Sequence, residues 1–439
     1  MNTKPYVSVV IPSLNVCEYI KESMHSILNQ SLYDIEILCI DAGSTDGTVQ
    51  LLTEFAEQDP RVLLYHSNRK SYGYQVNFGI AISHGEYIAI VEPDDYVDCQ
   101  MYQVLYEIAR RYNLDYIKAD FDSFFELENG ERVFCRVNQW PEDDDRYDSI
   151  IEPTYDESIY IRDYSVWRGI YKQSFLVSNE IWFNETDGAA YQDIGFKELV
   201  VANAKRAMYI NQSFYRYRTD RIDSSVNSVN GMEYSYQEFS RLLENDEYYK
   251  RIVYKKGLFC HLVHTLFVEY NRVLKRVDFN YQNKKLDKYI WFFNKIEYAK
   301  ECGYISNEII EGLIGERGLL LLSDPEKFAS FCKNENSEME HFLASIYGKK
   351  IVIFGGGRFG QRVYRCLKRE EQFVEAIVDN NREMVGKRVC DILISSPNSF
   401  YDREDVIFVI AMKKFGPEVR KQLIDNGVKS GSIYFAKLY

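Results

Sequence analysis

The 439-residue sequence predicts an α/β protein in three parts: a parallel-sheet domain over 1–230, a helical region over 231–345, and a small strand–turn–helix domain over 346–439. Three observations predict this. Short apolar, β-branched runs alternate with amphipathic segments through the first hundred residues, the pattern of strands buried between helices. Long segments of helical periodicity follow, as in 256-KGLFCHLVHTLFVEYNRVLKR-276, where Leu258, Leu262, Leu266, Tyr270 and Val273 recur on one face. A glycine-rich turn then opens a new strand–helix pair at 349–367.

In chain order, the runs 6–12, 35–41, 61–67 and 86–92 read as strands, with 17–30 and 47–58 as helices between them. Ser44, Thr45 and Asp46 precede the second helix and suit its N-terminus. Ligands of parallel sheets sit beyond the carboxyl ends of the strands. Polar residues stand there in each case: Ser13 and Asn15, Asp41, Ser67 and Asn68, and then Glu92, Asp94 and Asp95 around Pro93. Carboxylates this close repel one another, and oxygen-only ligands suit Mg²⁺ or Mn²⁺. Their gathering predicts a cation bridging to phosphates that a ligand brings, with an exposed acidic turn as the plain alternative. Residues 121–160 hold twelve acidic residues against three arginines and read as a solvated loop region. His261 and His264 stand at i, i+3 with no third ligand nearby, and read as ordinary helix-surface histidines.

Composition limits the partners. Hydrophobic residues make up 46%, which suits a globular core. A net charge of −13 argues against a general nucleic-acid binder. No apolar run is long enough for a membrane span, and MNTKPYVSVVIPS lacks a signal-peptide layout. The nine cysteines are spaced neither as a disulfide framework nor as a zinc site, and read as reduced thiols in the cytoplasm. The segment 250–300 carries twelve Lys or Arg against four acids, with aromatics interleaved, which predicts peripheral contact with the inner face of a membrane. The alternative packs those aromatics inward against an acidic partner in the chain or across a homodimer.

In the C-terminal part, 349-KKIVIFGGGRFGQRVYRCL-367 places Gly355, Gly357 and Gly360 between a strand and a helix. The next strand, 373-FVEAIVDNN-381, puts Asp379 nineteen residues beyond Gly360. This context predicts a second nucleotide site, with a diphosphate on the helix N-terminus, and a purely structural turn is the alternative. No Tyr-x-x-x-Lys pair for proton transfer accompanies it.

Four ordered stretches, 7-VSVVIPSLN-15, 38-LCIDAGSTDGT-48, 77-NFGIAISHGEYIAIVEPDDYV-97 and 188-GAAYQDIGF-196, resemble the inverting glycosyltransferases of family 2, which have the GT-A fold. The resemblance covers about residues 5–230. It implies a nucleotide-diphosphate sugar as donor, with a UDP-sugar foremost. Pro12, Ser13 and Asn15 would line the nucleotide pocket, Asp41 would meet the base, and Lys70 would sit near the nucleotide or its phosphates. Asp94 and Asp95, with Glu92 beside them, would hold Mg²⁺ or Mn²⁺ against the diphosphate. Asp193 matches the family's general base, and 214-FYRYRTDRIDSSV-226 resembles the segment that closes over the diphosphate, with Arg218 as the phosphate contact. Trp167 and Trp182 flank the acceptor side. The chain departs from the pattern at Leu14, where an aromatic often stacks on the base, at Ala42 in place of a second Asp, and at Glu92 in place of the first Asp of a D-x-D-type run. The C-terminal domain resembles the small Rossmann-like nucleotide-sugar-binding domains attached to some sugar-transferring enzymes.

The implied function is transfer of a sugar, with inversion, to a growing surface glycan, lipid-linked or free. Two others compete: a nucleotide-sugar oxidoreductase or epimerase run by the C-terminal domain, and a non-catalytic glycan-assembly scaffold. Asp94, Asp95 and Asp193 together count against the scaffold.

Overall fold

The computed structural model describes residues 4–437 apart from 128, 222–223, 225–227, 277–285, 391 and 413–414. Two compact units result: Met1–Asp122 with Val137–Phe328, and Ser123–Arg136 with Ala329–Tyr439.

The first unit opens with β1 (Val7–Ser13), α1 (Ile20–Leu28), β2 (Ile35–Asp41), α2 (Thr48–Gln58), β3 (Val62–His66), α3 (Tyr72–Ile82) and β4 (Tyr87–Ile90), the predicted alternation. β1, β2 and β4 are buried at every position, which is why their sequences are apolar without a break. Asp46 accepts from both Thr48 N and Thr48 Oγ1 at the start of α2, and also from Cys17 N. The chain continues through β5 (Tyr96–Val97), α4 (Met101–Tyr112), β6 (Tyr116–Glu126), β7 (Arg132–Val137), α5 (Glu157–Arg162), β8 (Gly169–Lys172), α6 (Gln173–Ser178), α7 (Gln192–Asn203) and β9 (Ala207–Arg218). The strand order is β3-β2-β1-β4-β8-β6-β9-β5. β3, β2, β1 and β4 run parallel, with Ser13 paired to Asp41, so their carboxyl ends share one edge. β8 runs antiparallel to β4 and β6.

Two sequence expectations give way here. The acidic stretch 121–160 is not mainly loop: Phe121, Phe124, Phe125, Val133 and Trp140 are buried, and β6 and β7 run through it. A charge count hides this, because most of the acids of this stretch fall outside β6 and β7, while the strands themselves carry the buried apolar residues. His261 is not a surface histidine either. It is 7% exposed, with Nδ1 2.6 Å from Glu198 Oε1 and 3.2 Å from Lys197 Nζ. Burial pushes its pKa down. Among the described residues no group of three or more His, Cys, Asp or Glu is arranged to hold a metal ion.

The helical region holds α8 (Gly231–Glu244), α9 (Asp246–Arg251), α10 (Lys255–Arg276), α11 (Leu286–Glu301), α12 (Asn307–Ser323) and α13 (Pro325–Ile346). Its aromatics turn mostly inward: Phe259 and Phe292 are fully buried and Tyr270 and Tyr289 nearly so, while Ile290 and Tyr298 stay exposed. Lys288 pairs with Glu233, Lys295 with Glu244, Lys300 with Glu297 and Lys256 with Glu157. These four of the twelve basic residues are matched by acids within the chain. Lys284 and Lys285, within the segment predicted to contact a membrane, lie outside the described residues. No described helix is long and apolar enough to cross a membrane.

The second unit contains β10 (Lys350–Phe354), α14 (Arg358–Arg369), β11 (Val374–Val378), β12 (Arg388–Val389), β13 (Ile392–Ser395), β14 (Val406–Ile410), α15 (Gly416–Asp425) and β15 (Ile433–Phe435). The order is β12-β13-β11-β10-β14-β15, all parallel except β12. Phe125, Val133 and Cys135 of the 123–136 hairpin share a core with Ile351, Ile353 and Val363.

Candidate active site

A cleft of about 470 Å³ opens at the carboxyl edge of the parallel strands. The end of β1 supplies Pro12, Ser13 and Asn15, and the turn after β4 supplies Glu92 and Asp94. Tyr72 and Gln75 reach in from α3, whose N-terminus is capped by Ser71. Across from them stand Tyr191, Gln192 and Asp193 at the start of α7, with Arg221 just beyond β9. Trp167 and Tyr217 form an apolar wall, their rings stacked 4.9 Å apart.

The polar groups are held from behind. Gln75 Nε2 donates to Ser13 O at 3.0 Å and to Ile40 O at 2.5 Å, locking two strand ends together. Ser13 Oγ is buried without a hydrogen-bond partner, a cost that a ligand at the cleft would remove. Tyr72 OH donates to Glu92 Oε1 at 2.6 Å, and Arg221 Nη1 lies 3.3 Å from Asp94 Oδ2. Gly188 N donates to Lys70 O and Tyr72 N to Gly188 O, which ties the segment before α7 to the start of α3.

Three carboxyls here are shifted upward. Burial, with the nearby Asp94 and Asp193 charges, pushes Glu92 to about 8 against the pull of the Tyr72 bond. Asp95 is raised well above the carboxylate range by burial and then by Asp94. Asp193 remains partly open to the cleft, yet enough protein surrounds it that desolvation raises it to about 6. Bonds from backbone N–H groups at its own helix N-terminus, with Lys197 and Lys118, act the other way.

The structure brings Pro12, Ser13, Asn15, Glu92, Asp94, Trp167 and Asp193 together, and sets five predicted residues apart from that lining. Asp41 is fully buried and occupied by its own turn, accepting from Gly43 N, Ser44 N and Ser44 Oγ. Asp95 is 1% exposed; Oδ1 accepts from Arg218 N at 2.7 Å, and Oδ2 has no hydrogen bond of good geometry, with Tyr215 near enough to temper the shift. Arg218 lies 8% exposed over the Tyr19 ring, its Nε donating to Asp94 O, and acts as a strut. Arg221, three residues on, faces the cleft instead. Lys70 is exposed on the approach to α3. Trp182 belongs to a different cavity, of about 520 Å³, with Tyr74, Phe78 and Arg241. Sequence reasoning assigned no role to Tyr72, Gln75, Tyr191 or Arg221; the last two lie inside the motif stretches, and their proximity was the available signal.

Glu92 and Asp94 fit a divalent cation by the chemistry of their oxygens, and a buried carboxyl kept neutral by its surroundings is what a cation would ionise.

In the C-terminal unit the glycine turn forms as expected of its steric needs: a Cβ on Gly360 would stand 1.7 Å from Gly355 O. Asp379 Oδ2 accepts from Gly356 N at 2.7 Å, so it secures the turn. Gly357 precedes α14 with open space where a side chain would project.

Comparison with known proteins places these features in context. The profile described as glycosyl transferase family 2 matches residues 8–165, and one described as C2185-like, N-terminal, matches 347–434. An uncharacterized glycosyltransferase, YibD of Escherichia coli (strain K12), is 30% identical over 284 residues, which is 60% of this chain and 80% of that protein. Glycosyltransferase GlyG of Streptococcus pneumoniae serotype 4 is 29% identical over 220 residues, covering 48% of this chain and 70% of that one. Among solved structures, S. aureus TarS matches with a TM-score of 0.48 at 17% identity, over 77% of this chain and 55% of TarS. This chain thus spans about half the length of TarS. Residues 1–349 of TarS in complex with UDP-GlcNAc match with a TM-score of 0.44 at 18% identity, over 68% of this chain and 92% of that one.

Proposed function

The chain belongs to glycosyltransferase family 2, and from that premise we propose that it transfers a sugar, with inversion, from a nucleotide-diphosphate sugar to a hydroxyl of a growing surface glycan. The observation that carries this reading is Asp193 sharing one cleft with Glu92 and Asp94. The donor diphosphate lies against the acidic turn and Arg221, and the nucleotide runs toward Ser13 and Asn15. Asp193 orients the acceptor hydroxyl and takes its proton as the new oxygen–carbon bond forms on one face of the anomeric carbon. The bond to the diphosphate breaks on the other face, and the electron pair leaves with the phosphate oxygen. Arg221 follows that oxygen because guanidinium matches phosphate geometry. Trp167 and Tyr217 exclude water from the reacting carbon. Mg²⁺ or Mn²⁺, held by Glu92 and Asp94, would neutralise charge on the departing diphosphate. A lipid-linked acceptor and a UDP-sugar donor are the chemistry we assign to the two substrates.

The pH dependence follows from Asp193. A base works only when ionised, so kcat/KM should fall tenfold per unit below about pH 6, where burial has placed this carboxyl. An unshifted Asp would hold the rate down to about pH 4. A pH–rate profile flat from 7 to 5 would remove Asp193 from the role.

The same proposal gives the C-terminal glycine turn a second, metal-independent nucleotide site. Gly357→Val adds its side chain where no atom lies within 4 Å, so folding should survive while approach of a diphosphate to the turn is blocked. Calorimetry should find two nucleotide sites in the wild type and one in the variant. One site in both would leave the turn a purely structural element.

A further inference from the structure

The base sits on a segment gripped at both ends by the helical region, and the grip is built from buried carboxyl groups. Tyr191, immediately before α7, has φ +66°, a left-handed conformation that a tyrosine adopts only when its surroundings impose it. Its hydroxyl donates to Glu269 Oε2 on α10 at 2.9 Å and lies 3.2 Å from Arg272 Nη1, while Arg272 also bonds Glu269 Oε1 at 2.5 Å. Glu269 is 2% exposed. It reaches the tyrosine only because residue 231 is glycine: a Cβ there would stand 2.1 Å from Glu269 Oε2 and 2.8 Å from the Tyr191 hydroxyl. A second carboxyl repeats the device. Glu238 on α8 is 1% exposed, accepts from Asn184 Nδ2 at 2.9 Å, and lies where a Cβ on Gly195 would be 2.4 Å from its Oε2.

We propose that Glu269 and Glu238 are positioning residues for the transfer: the helical region sets the place and the surroundings of Asp193 by holding Tyr191 on one side of it and the Asn184–Gly195 contact on the other. The proposal rests on the reading of Asp193 as the base. It gives α8 and α10 a task in the reaction and explains why a strained tyrosine precedes an aspartate in the cleft. If the grip loosens, α7 begins in a different place. The acceptor hydroxyl then meets a displaced carboxylate, and water enters around Asp193. Misplacement of a reacting group by about 1 Å costs on the order of 10²-fold in rate.

The charges around Asp193 allow that loosening to be read directly. Glu92 and Tyr72 face it across the cleft, Tyr171 from β8, Lys118 from β6, Glu238 from α8 and Lys197 from its own helix. None of these changes in Tyr191→Phe, which alters no charge, so a move of the acid limb there reports the hydration of Asp193 itself; in Glu269→Ala the limb also feels the loss of that carboxyl and the unpairing of Arg272.

The test uses the full chain and the UDP-sugar that most stabilises it in a thermal-shift screen. Tyr191→Phe and Glu269→Ala should lower kcat by about 10²-fold with the Kd for UDP unchanged, and should move the acid limb from about pH 6 toward about pH 4. Glu269→Gln keeps an oxygen for the tyrosine hydroxyl and should recover most of the rate. Wild-type kcat and an unmoved limb in Tyr191→Phe and Glu269→Ala, alongside an inactive Asp193→Asn, would overturn the positioning role alone. Full activity of Asp193→Asn would instead overturn the assignment of the base, and the positioning role with it.

Discussion

Asp193→Asn should retain the fold, the metal and the donor and lose turnover by about 10²–10⁴-fold, the usual cost of removing a general base. The substitution is nearly isosteric and leaves the amide able to meet the helix N-terminus that the carboxyl now faces, so α7 need not move. What it removes is the proton acceptor. Donor affinity, read by calorimetry with UDP, is the control. Asp193 stands at the start of α7, whereas the acidic turn follows β4, so loss of both binding and turnover would make Asp193 a donor-site residue instead.

Asp94→Asn should show the opposite division. Asp94 faces the cleft and is paired only loosely with Arg221, at 3.3 Å. An amide there keeps the size of the side chain but gives up an anionic oxygen on which cation affinity depends. Transition-state stabilisation of several kcal/mol from the cation corresponds to a fall on the order of 10³ in turnover. Donor binding should fall with it and should no longer respond to Mn²⁺. A variant that binds donor normally in Mn²⁺ and turns over at the wild-type rate would exclude Asp94 as a ligand.

The parts of this protein that sequence revealed are those where one constraint acts alone. β1, β2 and β4 are buried on both faces, so only apolar residues fit and the run is unmistakable. The cleft was legible because the carboxyl ends of such strands must meet at one edge, which gathers Ser13, Glu92 and Asp94 there. Elsewhere two constraints compete within a few residues. Arg218 and Arg221 have the same chemistry three positions apart and both lie over the Tyr19 ring, yet only Arg221, beyond the end of β9, lines the cleft. Asp41 looks like a ligand, but its carboxylate is taken up by the backbone N–H groups and the hydroxyl of its own turn, whereas Asp95 spends one oxygen on Arg218 N and keeps Oδ2 without a partner. The Tyr191–Glu269 and Asn184–Glu238 bonds join residues 78 and 54 positions apart. No local spacing announces them; they appear only when α8 and α10 are packed beside α7.

The most direct test of the account is a thermal-shift screen of the wild-type chain against nucleotide sugars, run once with Mn²⁺ and once with EDTA. A donor at a hundred times its Kd adds about 2.7 kcal/mol to stability, which for a unit of this size raises Tm by roughly 4 °C. The account predicts that rise for at least one UDP-sugar in Mn²⁺, and its collapse in EDTA. An equal shift with and without the metal, or none with any nucleotide sugar, would contradict it.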